Sequence, residues 1–182
     1  MDLGQELATA LSVAGRICVG LVFVLAATQK AQHWRIFSGV LANYRLLPRA
    51  LVAPAAILLP PAELAVGLLL LSAQLRPWGE AAAIALLGLF ALAMAINVRR
   101  GRTLIDCGCG QSVLKQTLSW TLVSRNAGLV ALLLPSLSFA DPATIPVALS
   151  GAAAGLAFFV VYLLFNALSA LPPVDARRQR FA

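Results

Sequence analysis

The chain has 182 residues, of which 60% are apolar and only 12% charged, and its mean hydropathy is +0.88. That composition excludes a soluble globular domain, which would need far more polar surface. The net charge of +7 is split among short loops with no nucleic-acid-binding module, so it reads as a topology signal and an attraction to anionic lipid heads.

A hydrocarbon span takes about 20 apolar residues. Five runs of that kind occur, at roughly 8–28, 51–73, 80–98, 119–138 and 146–170. They leave no room for a soluble domain, so residues 1–182 read as a single membrane domain. The runs are too long for barrel strands and lack their alternation, which predicts an all-α integral membrane bundle of about five transmembrane helices. The start, "MDLGQELATA", is acidic, and Arg16 interrupts the first run, so residues 8–28 read as a retained span rather than a signal peptide.

Between the first two spans, "AQHWRIFSGVLANYRLLPR" repeats Trp34, Phe37, Leu41 and Tyr44 at helical spacing. It predicts a short amphipathic anchor, with aromatics at headgroup depth and arginines in water. His33 is the sole histidine, cannot make a metal centre alone, and receives no role.

Polar residues within spans are costly and therefore informative. Arg16 lies about 12 Å from the outer end of span one, and Glu63 about 15 Å from that of span two. Matching depth and opposite charge predict an Arg16–Glu63 pair, beside a kink at Pro60 and Pro61. Arg125 and Asn126 open span four, where Arg125 can snorkel to water or meet Glu63. The small-residue faces "EAAAIALLG" (80–88) and "GAAAG" (151–155) predict close helix contacts inside the bundle.

After span three comes "TLIDCGCGQS" (103–112), with Cys107 and Cys109 one glycine apart. A disulfide framework needs more cysteines, and a zinc site more ligands than two thiols and Asp106 can give, so neither a metal nor a cofactor is expected. A redox pair needs only two thiols in reach. Such a ring would be strained and easily reduced, Gly108 supplies backbone freedom, and Arg99, Arg100, Arg102 and Lys115 favour thiolate. Packing and soft-metal binding stay open beside that reading. Cys18, in span one, reads as a small buried apolar residue.

Loop charge predicts the topology. The side with the 29–50 and 99–118 loops and the basic tail, 171–182, holds eleven Lys and Arg, against Arg76 alone on the other. This predicts an outside N-terminus and an inside C-terminus.

Several stretches in order resemble one family: "RICVGLVFVLAATQK", "YRLLP", "LLPPAELAVGLLL", "INVRRGRTLIDCGCG" and "LSWTLVSRN". Together they look like the methylamine utilisation protein MauE family, within the wider MauE/DoxX group of redox-associated membrane proteins. The resemblance implies a bacterial inner membrane, with a periplasmic N-terminus and a cytoplasmic C-terminus. The resemblance implies an assembly factor that processes, transports or matures the disulfide-dense beta (light) subunit of methylamine dehydrogenase, alongside the thioredoxin-like protein MauD. The pair Cys107/Cys109 would then exchange electrons with such a partner, and if the protein is an enzyme it is a thiol-disulfide oxidoreductase. The client folds outside, whereas the charge count puts the pair inside. Either the loop dips into the bundle, or the pair passes reducing equivalents across, or it is not redox-active. Two other classes remain: a quinone-linked membrane thiol oxidoreductase, and a small-solute carrier or channel built on Arg16 and Glu63.

Overall fold

The computed structural model describes residues 3–72, 75–107, 116–138 and 144–169. Six helices account for nearly all of them: α1 (Leu3–Gln32), α2 (Trp34–Tyr44), α3 (Arg49–Leu71), α4 (Arg76–Arg99), α5 (Trp120–Ser138) and α6 (Ile145–Ser169). All but α2 are long and apolar enough to cross a membrane, as expected of a multi-pass membrane protein. Among the described residues the only extended pairing is an isolated antiparallel bridge between Asp106 and Thr117.

The spans start and stop close to where the sequence places them, with one consequential exception. α1 is longer than its apolar run at both ends, reaching from Leu3 to Gln32. Lys30, assigned above to the first loop, therefore belongs to a span. α3 continues as one helix through Pro54, Pro60 and Pro61.

Helix α1 is the hub, packing on α3, α5 and α6, while α4 packs on α5 and α3. Close contacts fix the directions. Arg16 Nε donates to Leu70 O at 3.3 Å, and Gly20 faces Gly67 and Leu71, so α1 and α3 are antiparallel. Gly151 meets Ala10 and Val13, and Gly155 meets Ala14 and Ile17, so α6 runs parallel to α1. A Cβ on either glycine of α6 would lie 2.8 Å from an α1 carbonyl oxygen. The Gly-x-x-x-Gly face is thus used inside the chain, where it lets two backbones approach closely.

One buried core, of Val19, Val22, Phe23, Val66, Leu70, Ala83, Leu87, Leu129 and Leu133, fills the middle of the bundle. A second, of Tyr44, Met94, Cys107, Leu118 and Leu122, closes the end where the α1–α3 and α4–α5 connections lie, hereafter the loop end. The outward faces carry Ile57, Leu58, Leu89, Leu92, Leu149 and Val161, all exposed as lipid-facing side chains should be.

The helix expected in the first connection is present as α2, but its aromatics behave differently from expectation. Trp34 is about half exposed at 48%, whereas Phe37 and Tyr44 are buried in the protein. α2 packs on α3 and touches α1, so half of its aromatic face is spent on the bundle. Arg45 ends it in the left-handed region, at φ 49°, which turns the chain into α3.

Candidate thiol site and buried ion pair

The thiol site begins where α4 ends. Gly101, at φ +70°, takes the left-handed conformation that a side chain resists, and the chain turns back toward the bundle. Residues 105–107 then lie against 116–118. Cys107 N–H donates to Gln116 O at 2.9 Å, and Leu118 N–H donates to Ile105 O at 3.1 Å. These bonds hold 105–107 beside 116–118, and Cys107 is buried, with 8% of its surface exposed. Cys109, Gly108 and Lys115 lie outside the described residues.

Three elements hold Cys107. From α2, the Tyr44 hydroxyl donates to Cys107 O at 2.9 Å. From the strand-like segment before α5, Gln116 Oε1 accepts from the Cys107 thiol at 3.7 Å. From α6, Asn166 O accepts from Gln116 Nε2 at 2.6 Å. A carbonyl can only accept, so that last bond fixes which end of the Gln116 amide faces the sulfur.

A cavity of about 70 Å³ is lined by Cys107 together with Lys30, Phe37, Val40, Tyr44, Phe90 and Met94. Lys30 is its cationic member. Its ammonium donates to both oxygens of Glu63, at 2.7 and 2.8 Å, and lies 5.5 Å from the ring centres of Phe37 and Phe90. Glu63 is fully buried and Lys30 nearly so. A second cavity, of about 40 Å³, opens on the far side of Lys30 and is lined by Glu63, Arg125, Asn126 and Tyr162. Arg125 lies over the Tyr162 ring at 5.6 Å and donates to the Asn166 side chain.

The Arg16–Glu63 pairing expected from depth is not formed. Helical side chains lean toward their own N-terminus. On antiparallel helices Arg16 therefore leans toward the N-terminal end of α1 while Glu63 leans toward the loop end, and they diverge. Lys30 leans toward Glu63, and they converge. Register adds to this: Arg16 is level with Leu70, seven residues or about 10 Å from Glu63. Arg16 instead lies near Arg76 and Glu80, themselves an i, i+4 pair at 3.7 Å. Arg125 uses Asn166 rather than snorkelling freely, and Asn126 is buried with its amide on Leu122 O. Cys18 is buried within α1, as a small apolar residue would be.

Sequence reasoning missed Lys30, Gln116, Asn166 and Tyr44. Lys30 was hidden by the place where the apolar run ends. Asn166, three residues before the end of a strongly apolar helix, carried the same intramembrane-polar signal as Asn126.

A family model described as "Methylamine utilisation protein MauE" matches residues 8–140. Methylamine utilization protein MauE of Paracoccus denitrificans is 43% identical over 160 residues, covering 86% of each chain. The protein of the same name from Methylorubrum extorquens is 43% identical over 148 residues, 78% of each chain. That from Paracoccus versutus is 41% identical over 160 residues, 86% of each. No solved structure matches. The thiol-bearing connection, the Lys30–Glu63 pair and the opening of α5 all fall within the matched region, and the chain belongs to the MauE family of methylamine utilisation proteins.

Proposed function

We propose that this protein acts in methylamine utilisation as a membrane assembly factor, rearranging disulfides in the beta (light) subunit of methylamine dehydrogenase through Cys107 and Cys109. The observation that carries the reading is the built setting of Cys107. A packing cysteine needs only apolar neighbours, whereas this one has its carbonyl, its N–H and its thiol each bonded, and it lines a cavity. In the reaction the reduced pair opens a wrongly formed client disulfide. Two electrons pass to the client, and the pair becomes a disulfide. A dithiol on a thioredoxin-like partner, for which MauD is the candidate, reduces it again.

The protein works in the inner membrane, with its N-terminus periplasmic and its C-terminus cytoplasmic. Lys30 leaves the loop count because it is buried against Glu63, which changes eleven against one to ten against one and keeps the bias. The packing of Cys107 beside Tyr44, Met94 and Leu122 supports access to it from within the membrane domain.

The test is a deletion strain grown on methylamine and complemented with Cys107→Ser, Cys109→Ser or both. Lost or misbridged dehydrogenase small subunit, with normal levels of the membrane protein, is the expected result. Normal small subunit in the double variant would remove thiol exchange and favour a carrier built on the Lys30–Glu63 cavities.

A further inference from the structure

Five arginines gather on one edge of the loop end. Gly79, in the first turn of α4, faces the backbone of Leu69 and Leu70, so the α3–α4 hairpin is level at that point. Arg49 lies twenty-one residues before Leu70, and Arg100 twenty-one after Gly79. At an equal rise of about 1.5 Å per residue the two return to one level at the loop end. Arg99 precedes Arg100, and the left-handed turn at Gly101 leads to Arg102, whose guanidinium donates to Tyr44 O at 3.5 Å. Tyr44 precedes Arg45. The end of α2, the start of α3 and the end of α4 thus bring Arg45, Arg49, Arg99, Arg100 and Arg102 to the same edge.

No carboxylate forms an ion pair with any of the five among the described residues. Segments 33–51 and 95–105 contain no acidic residue, and the first acid beyond them, Asp106, is half-buried. Arg102 is half-buried and the other four arginines are exposed. Apolar surface adjoins them. Leu51, two residues past Arg49, is exposed, and so is Leu92, about 10 Å along α4 from Arg99. Leu104, two residues after Arg102, is 92% exposed. A soluble anion would satisfy the arginines and leave those leucines bare, whereas an anionic amphiphile meets both. All five charges are guanidiniums, the planar fork that takes a phosphate through two parallel N–H···O bonds, where an ammonium acts only as a point charge. We infer that this edge is a binding site for an anionic phospholipid of the surrounding leaflet, its phosphate held by the arginines at the ends of α2, α3 and α4 and its acyl chains laid along Leu51 and Leu92. Diffuse attraction of basic loops to anionic heads would have no such address.

The test uses the purified full chain in a neutral detergent, with native mass spectrometry to measure bound lipid; its outcome is independent of thiol exchange. Phosphatidylglycerol should be retained at least about ten times more tightly than phosphatidylcholine, which carries the same phosphate without net charge. Arg49→Gln and Arg100→Gln should each weaken phosphatidylglycerol about fivefold, the share of one interfacial arginine, and the double variant more. Arg35→Gln, about 15 Å from Arg45 along α2 and beyond a Debye length, should change it less than about twofold. Equal retention of the two lipids overturns the site. An equal loss in Arg35→Gln also overturns it, because the attraction is then diffuse. Full displacement of the lipid by inorganic phosphate overturns it too, because the ligand is then a free anion. Should the glutamine variants not accumulate, Arg49→Lys and Arg100→Lys are read in their place. These keep the charge and lose the fork, so they should still weaken phosphatidylglycerol, and unchanged binding in both overturns the site.

Discussion

The Lys30 ammonium is shared between the two oxygens of Glu63, at 2.7 and 2.8 Å, in a part of the bundle that water does not reach from the lipid side. Their side-chain surfaces are 6% and 1% exposed, so water solvates neither charge to any extent. Such a pair gives little net stability, yet removing one partner leaves a buried charge without its counter-ion and costs about 3–5 kcal/mol. Lys30→Ala or Glu63→Ala should therefore each lower the melting temperature of the solubilised protein and its level in membranes. Lys30→Met with Glu63→Leu should recover much of the loss. Arg16→Ala with Glu63→Ala should give simple addition, and non-additivity there would restore the Arg16 pairing.

The α1–α6 contact predicts opposite signs for two glycines. Gly155→Val puts a branched side chain where even a Cβ lies 2.8 Å from Ala14 O, and overpacking of this kind costs about 1–3 kcal/mol. Gly128, in α5, has nothing within 4 Å of an added Cβ. Gly128→Ala should be neutral or stabilise by up to about 1 kcal/mol, through helix propensity. Thermal unfolding in one detergent compares them, and equal losses would contradict the packing.

Tyr44→Phe deletes the hydroxyl that ties α2 to the Cys107 carbonyl. A single hydrogen bond of this type is worth about 0.5–1.5 kcal/mol. The fold should survive, while Cys107 in a Cys109→Ser background should become more accessible to maleimide. An unchanged labelling rate would mean that α2 does not guard the thiol.

Topology is open to reporter fusions. A C-terminal alkaline phosphatase should be inactive and a C-terminal fluorescent protein bright, with the reverse at a reporter placed before Leu3. The opposite pattern would move the thiol connection to the periplasmic side.

The number and placement of the spans were legible because hydrocarbon thickness fixes the length of an apolar run. The amphipathic helix was legible from the spacing of Trp34, Phe37, Leu41 and Tyr44. The pairing of Glu63 was not, for two reasons. Depth counted from the ends of apolar runs ignores that a helix can continue past its run, as α1 does to Gln32. It also ignores the lean of side chains, which separates Arg16 from Glu63 and joins Lys30 to it. The setting of Cys107 was out of reach for a different reason. Tyr44, Gln116 and Asn166 lie 63, 9 and 50 residues from the groups they bond, and no local pattern encodes such pairings.

The placing of two cations in α1, Lys30 buried and Arg16 half-buried, has a consequence for how the chain enters the bilayer during synthesis. Arg16 and Lys30 leave the ribosome well before their acceptors, Leu70 O and Glu63, which are 54 and 33 residues further on. Arg16 lies near the middle of α1, where a lone Arg costs about 2.5–3.5 kcal/mol on insertion scales, whereas Lys30 lies in the last turn, where the cost is smaller. α1 by itself is thus an incomplete membrane segment, and it becomes a comfortable one when α3 arrives with a carboxylate and a carbonyl to meet it. The unit that partitions into lipid is then the α1–α3 hairpin rather than either helix, with α2 carried along at its bend.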